Sequence, residues 1–208
     1  FVGWIFRTMT SNTLPVSETN RADPARVFEG EILDRLRPHV GRSFDALAIV
    51  AGRAGSGGKN AVASITRALL GQPTGGRSGE FARFGVEVKT VPVDSRGHIV
   101  ESMSFPAFHH QEVIFESWED SDLLGRLNRL LIVPVHREKG ATLSATVLGE
   151  PLFWSPSAAE LAGIRQEWER YRTLIEHGES RSLPKASETT YIHVRTHGRN
   201  AKDRDQAP

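Results

Sequence analysis

The chain has 208 residues, with 26 Lys plus Arg against 25 Asp plus Glu, a formal net charge of +1. At 38% hydrophobic and 25% charged residues it has the composition of a globular domain long enough to bury its own core. The lack of cysteine excludes disulfides, thiolate zinc sites, iron–sulfur clusters and a cysteine nucleophile. No apolar run approaches the roughly 20 residues of a membrane span, and the even charge balance means that any surface for a polyanion must be local.

Phe1 is not an initiator Met, which reads as a processed or excised chain, or as part of something longer. FVGWIFRTM is apolar but short, with no basic region before it and no small-residue cleavage site, so it is a poor signal peptide. Residues 1–22 are expected to form a flexible N-terminal arm, followed by one domain over 23–203 and a frayed tail at 204–208.

Asp23-Pro24 opens a helix, with Asp at the N-cap and Pro at the first helical position. Phe28, Ile32, Leu33 and Leu36 recur at helical spacing until Pro38. Ser43 caps a second short helix through Val50, and a third runs from about Asn60 to Leu70, closed by Gly71. Gly-rich loops surround the third helix. The period then changes: Phe84, Val86 and Val88 alternate with Gly85, Glu87 and Lys89, a strand pattern. Asp94-Ser95-Arg96-Gly97 is expected to turn a hairpin into a return strand over His98–Phe105. A short helix around Leu123–Leu130 feeds the apolar strand LLIVPV, and Leu143–Val147 reads as another strand. Ser157 and Glu160 form a capping box for a helix carrying Leu161, Ile164, Trp168, Tyr171 and Leu174, and Thr190–Thr196 is a last strand. Helices first, then a mostly antiparallel sheet with helices between strands, gives a mixed α+β or α/β fold.

The chemistry gathers at Glu80–Lys89. Glu87 and Lys89 are two apart on a strand, so both leave one face, while Val86 and Val88 leave the other. Glu80 precedes the strand, and the chain can fold it back toward the same spot. Two carboxylates and an ammonium suit a phosphodiester hydrolase: the carboxylates hold Mg²⁺, the metal activates water, and the Lys orients that water or stabilises the phosphorane. The alternative for a Glu-x-Lys spacing is a solvent-facing cross-strand salt bridge of about 0–1 kcal/mol.

Other candidates are weaker. His109 and His110 are adjacent, and on a strand would face opposite ways. GSGGK at 55–59 lacks the preceding strand and following Ser or Thr of a nucleotide-binding loop. Trp154 and Trp168 are expected in the core rather than stacking on bases.

The strand GVEVKTVPVDSRG at 85–97 closely resembles the signature of the MutH family of DNA mismatch-repair endonucleases, which also includes type II restriction enzymes that cut GATC. Further blocks resemble the family in order: VGRSFDALA at 40–48, Glu101, LNRLLIVPV at 127–135, GEPLFWSP at 149–156, Gln166-Glu167-Trp168, and Tyr191 through Arg195 to Asn200-Ala201-Lys202. The resemblance implies a PD-(D/E)xK restriction-endonuclease-like core, a mixed sheet flanked by helices in two lobes around a DNA cleft. It also implies a Mg²⁺-dependent enzyme nicking or cutting duplex DNA at GATC. By the same resemblance a MutL-type ATPase is a partner, and the protein is a cytoplasmic, nucleoid-associated monomer. The family's acidic and Lys positions fall on Glu80, Glu87 and Lys89, with Glu80 replacing the usual Asp. An acidic position three residues before the Leu-Gly pair, here Leu70-Gly71, is Arg67, which cannot ligate a metal but can grip a phosphate. Lys59 matches a Lys that opens the same helix, and Arg126 replaces a Lys near the site with a bidentate phosphate donor. Arg129, Arg195 and Lys202 are further candidate DNA contacts. Family members continue past the Asn-Ala-Lys block into a segment used in base recognition, so the chain reads as truncated or altered in site recognition. The competing hypothesis is a DNA-binding pseudo-nuclease, with Arg67 replacing a metal carboxylate.

Overall fold

The computed structural model describes residues 2–6, 23–55, 57–58, 60–72, 79–94, 96–138 and 140–196. In chain order the elements are β1 (Val2–Phe6), α1 (Pro24–Leu36), α2 (Phe44–Val50), α3 (Ala61–Leu69), α4 (Gly79–Arg83) and β2 (Glu87–Val93). They continue with β3 (Met103–Phe108), α5 (His110–Phe115), α6 (Asp122–Leu127), β4 (Leu130–His136), β5 (Val147–Leu148), β6 (Leu152–Trp154), α7 (Ala158–Glu176) and β7 (Ile192–Thr196). The chain divides into two compact units, one built on β1, β3, β7 and α5–α7, the other on α1–α4, β2 and β4–β6. No helix among the described residues is long and apolar enough to cross a membrane.

The second unit carries the strand of interest. β2 pairs with β4 in parallel, Glu87 opposite Leu130 and Lys89 opposite Ile132, while β5 and β6 pair antiparallel with β4. The result is a mixed sheet rather than a mostly antiparallel one. Alternation identifies a strand but not its partner. A parallel pair needs a long crossover, which residues 94–129 supply. Helices α1, α2 and α3 form because their apolar stripes have somewhere to go: Phe28, Ile32, Leu36, Phe44, Leu47 and Ile65 are sealed in one core with Val86, Val88, Leu131, Val133 and Phe153. The Asp23 cap forms as expected, its carboxylate accepting from the Ala25 N–H at 3.0 Å.

The expected hairpin is only partly made. Asp94 closes the turn by accepting the Arg96 and His98 N–H groups at 2.8 Å each. One bridge joins Val93 and Ile99, and Val100 donates to the Pro92 carbonyl at 3.0 Å. Pro92 has no N–H to return, so the ladder stops. The strand that follows, β3, pairs with β1 instead. The expected strand at Leu143–Val147 is a 3-10 turn followed by the two residues of β5.

The first unit corrects the reading of the N-terminus. Residues 2–6, expected as part of a flexible arm, are the central strand of a three-stranded sheet ordered β3-β1-β7. Apolar residues without a signal-peptide pattern here form an internal strand. Trp4 is buried, stacked on Phe108 at 4.9 Å and edge-on to Tyr171 at 5.5 Å. Helix α7 starts at the expected box: Ser157 Oγ accepts the Glu160 N–H at 3.3 Å, and the Glu160 carboxylate accepts the Ser157 N–H at 2.7 Å. Trp168 is buried against Trp118 at 5.6 Å, and Trp154 is buried in the other unit. Both tryptophans are therefore core residues, as expected.

Candidate active site

Strand β2 presents its two faces as the spacing requires. Val86 and Val88 are buried in the core, and Glu87 and Lys89 share the opposite face. Lys89 Nζ stands 3.4 Å from Glu87 Oε1, with side-chain exposures of 14% and 7%. These values separate the pair from the solvent-facing salt bridge that the spacing alone allowed. Charges withdrawn from water lose hydration that a pair only partly restores. A largely buried acid–amine pair on a strand that is at the sheet edge among the described residues is therefore a candidate reactive centre rather than surface decoration. The Glu87 backbone is fixed too, its N–H donating to the Arg129 carbonyl at 3.0 Å.

Glu80 lies outside the strand, as expected, but on a helical turn rather than a loop. It occupies the first turn of α4 and is exposed. That turn is anchored by Phe81, buried and edge-on to Phe28 at 5.2 Å. The structure thus brings Glu87 and Lys89 together and leaves Glu80 facing solvent. Among the described residues no group of three or more His, Asp or Glu is arranged to hold a metal ion. As a donor set, Glu80 and Glu87 are two hard oxygen ligands, compatible with Mg²⁺, which keeps several of its waters.

Arg67 sits half-buried in the last turn of α3, the helix that packs on β2. Its carbonyl accepts the Gln72 N–H at 2.8 Å, closing the helix. Arg126 is held within its own helix by Asp122, Nε to Oδ2 at 2.6 Å, and belongs to the first unit. Arg129 meets Glu29 of α1, Nε to Oε1 at 3.3 Å. Lys59 and Lys202 lie outside the described residues. Arg195 is placed in β7 opposite Gly3, and its side chain is outside what is described.

Sequence reasoning missed two carboxylates. Glu29 is buried, and its signal was available: it follows Phe28 and precedes Ile32 by three, on the stripe that enters the core. Glu167 belongs to a block already noted but had no role. Its carboxylate accepts the N–H groups of Thr190, Tyr191 and Ile192 at 2.6–3.0 Å, fixing the start of β7.

A mixed sheet flanked by helices, with an acid-x-Lys pair on its edge strand, has the form of a restriction-endonuclease-like nuclease domain. The family model described as "DNA mismatch repair enzyme MutH" matches residues 72–167, which include Glu80, Glu87 and Lys89. A DNA mismatch repair protein MutH of Vibrio campbellii is 30% identical over 184 residues, 86% of this chain and 81% of that protein. Its namesake in Klebsiella pneumoniae is 34% identical over 157 residues, 72% of this chain and 67% of that one. The chain belongs to the MutH family of DNA mismatch-repair endonucleases.

Proposed function

We propose that the protein is a Mg²⁺-dependent endonuclease that nicks or cuts duplex DNA at GATC in mismatch repair or restriction. The observation that carries this reading is the sealed Glu87–Lys89 pair at 3.4 Å on β2. Glu80 and Glu87 would hold the ion, which when bound polarises the phosphate and acidifies a water. Lys89 does the rest of the local work. Its ammonium orients the attacking water or balances charge gathering on the phosphorane, and the low-dielectric setting strengthens that interaction. Val86 and Val88, locked in the core beneath, keep the two polar groups from swinging away. Lys59, Arg126, Arg195 and Lys202 supply phosphate contacts, and a MutL-type ATPase is the activating partner. The protein acts as a cytoplasmic monomer at the nucleoid.

The test is a supercoiled plasmid carrying GATC, with and without Mg²⁺, beside Lys89→Ala. Nicking that needs both the ion and Lys89 supports the reading; cleavage indifferent to either ends it.

A second reading draws on Arg67, half-buried on the helix that packs against β2. Here a guanidinium replaces a metal carboxylate, and the domain binds DNA phosphates without cutting. Chelator-independent binding without cleavage would select it.

A further inference from the structure

We propose that Glu29 is a positioning residue for the candidate active site, acting on Glu87 through Arg129. It is a charged side chain on a helix remote in sequence, yet only 7% exposed. A carboxylate this far from water needs hydrogen-bond or cation partners, and here two cations meet it. Arg26 Nη1 reaches Oε2 at 3.1 Å, and Arg129 Nε reaches Oε1 at 3.3 Å. Arg26 lies one turn earlier on α1 and keeps Glu29 oriented. Arg129 is the residue just before β4, and its carbonyl accepts the Glu87 N–H at 3.0 Å. Leu130, the next residue, is the register partner of Glu87. The chain of contact therefore runs from the Glu29 carboxylate to the Arg129 guanidinium, along that residue to its carbonyl, and into the backbone of Glu87.

The neighbouring residue reinforces the link. Phe28 stacks on Phe84 at 4.8 Å and meets Phe81 edge-on at 5.2 Å, so α1 holds the approach to β2 by packing while Glu29 pairs with Arg129, whose carbonyl takes the N–H of the first β2 residue. The ion pair on the Arg129 side chain adds to the backbone hydrogen bond that its carbonyl already accepts from Glu87. This assigns Arg129 to the fixing of Glu87 rather than to a DNA phosphate. The effect on cleavage rests on the nuclease reading; the effect on the Glu87 backbone does not.

The experiment uses the full chain and two readouts. Amide hydrogen exchange, resolved by NMR, compares wild type with Glu29→Gln, Glu29→Ala and Arg129→Lys. Plasmid nicking is then titrated with Mg²⁺ for the same proteins. Glu29→Ala should speed exchange at the Glu87 amide about tenfold, the loss of roughly one hydrogen bond, and leave the β6 amides Leu152–Trp154 unchanged. Glu29→Gln should fall between. The Mg²⁺ concentration for half-maximal nicking should rise several-fold with KM for DNA unchanged. Arg129→Lys, which keeps a cation near Glu29, should recover most of both. Should Glu29→Ala fail to fold, the Gln and Lys variants carry the same comparison. Exchange at Glu87 that stays at the wild-type rate, or rises equally across β6, overturns the proposal. A wild-type protein that does not nick sinks the nuclease reading and leaves the exchange result to decide this one.

Discussion

Lys89 Nζ and Glu87 Oε1 are 3.4 Å apart on one strand, and each side chain is largely closed to solvent. Under the proposed nuclease reading, this is the positive charge that would balance the phosphorane. Replacing Lys89 with Ala should lower nicking by roughly 100-fold or more, the usual loss for one preorganised transition-state donor. DNA affinity should change little, because one buried ammonium is a small part of the phosphate-binding charge. Single-turnover rates beside a filter-binding isotherm separate the two; a parallel fall in both would make Lys89 a binding residue.

Arg67 offers the reverse experiment. Arg67→Glu puts a carboxylate on α3, the helix that packs against β2, a third acidic group after Glu80 and Glu87. If Arg67 grips a phosphate, DNA binding should weaken and its salt slope should drop by about one. If the substitution restores a metal ligand, Mg²⁺ or Mn²⁺ binding by calorimetry should tighten. Unchanged metal affinity with unchanged salt slope would remove Arg67 from the site altogether.

The sequence made the site more legible than the sheet around it. Glu87 and Lys89 could be placed on one face because strand alternation is a local property, and the Ser157 and Asp23 caps could be found because a cap is specified by residues three apart or fewer. The parallel pairing of β2 with β4 and the strand at Val2–Phe6 could not, since both depend on partners far along the chain. Glu29 had a local signal in its place on the apolar stripe of α1, but its pairing with Arg129, a hundred positions later, depends on the fold. Glu80 shows the limit in the other direction. Spacing allowed it to fold toward the strand, but the short helix α4 leaves it exposed.

Gly163 and Glu167 together hold the start of β7. A Cβ on Gly163 would lie 2.3 Å from Tyr191 Cε2, inside any tolerable contact. Gly163→Ala should therefore destabilise the protein by about 1–3 kcal/mol, the range for overpacking. Glu167→Ala strands three backbone donors at Thr190, Tyr191 and Ile192 and should lose roughly 2 kcal/mol or more. Thermal unfolding reads both. Because the two changes act on the same segment, their effects should not add; strict additivity in the double variant would deny a shared role.

Glu116, between α5 and α6, carries a testable pH signature. Burial pushes its carboxyl above the ordinary range, and the nearby Asp122 and Glu112 charges add to this, against a backbone hydrogen bond from Asp122 that pulls the other way. A carboxyl whose pKa is higher in the folded state retains its proton there while the unfolded chain has lost it. Between the two pKa values the folded state holds the extra proton, so stability falls as pH rises through that window. The penalty is complete once pH exceeds the folded value. Glu116→Gln removes the ionisation and should raise the melting temperature at pH 7. The gain should shrink as the solution is acidified and disappear below the ordinary carboxylate range, where both proteins are neutral at this position. A gain of equal size at pH 7 and at pH 3.5 would trace the effect to packing and not to charge.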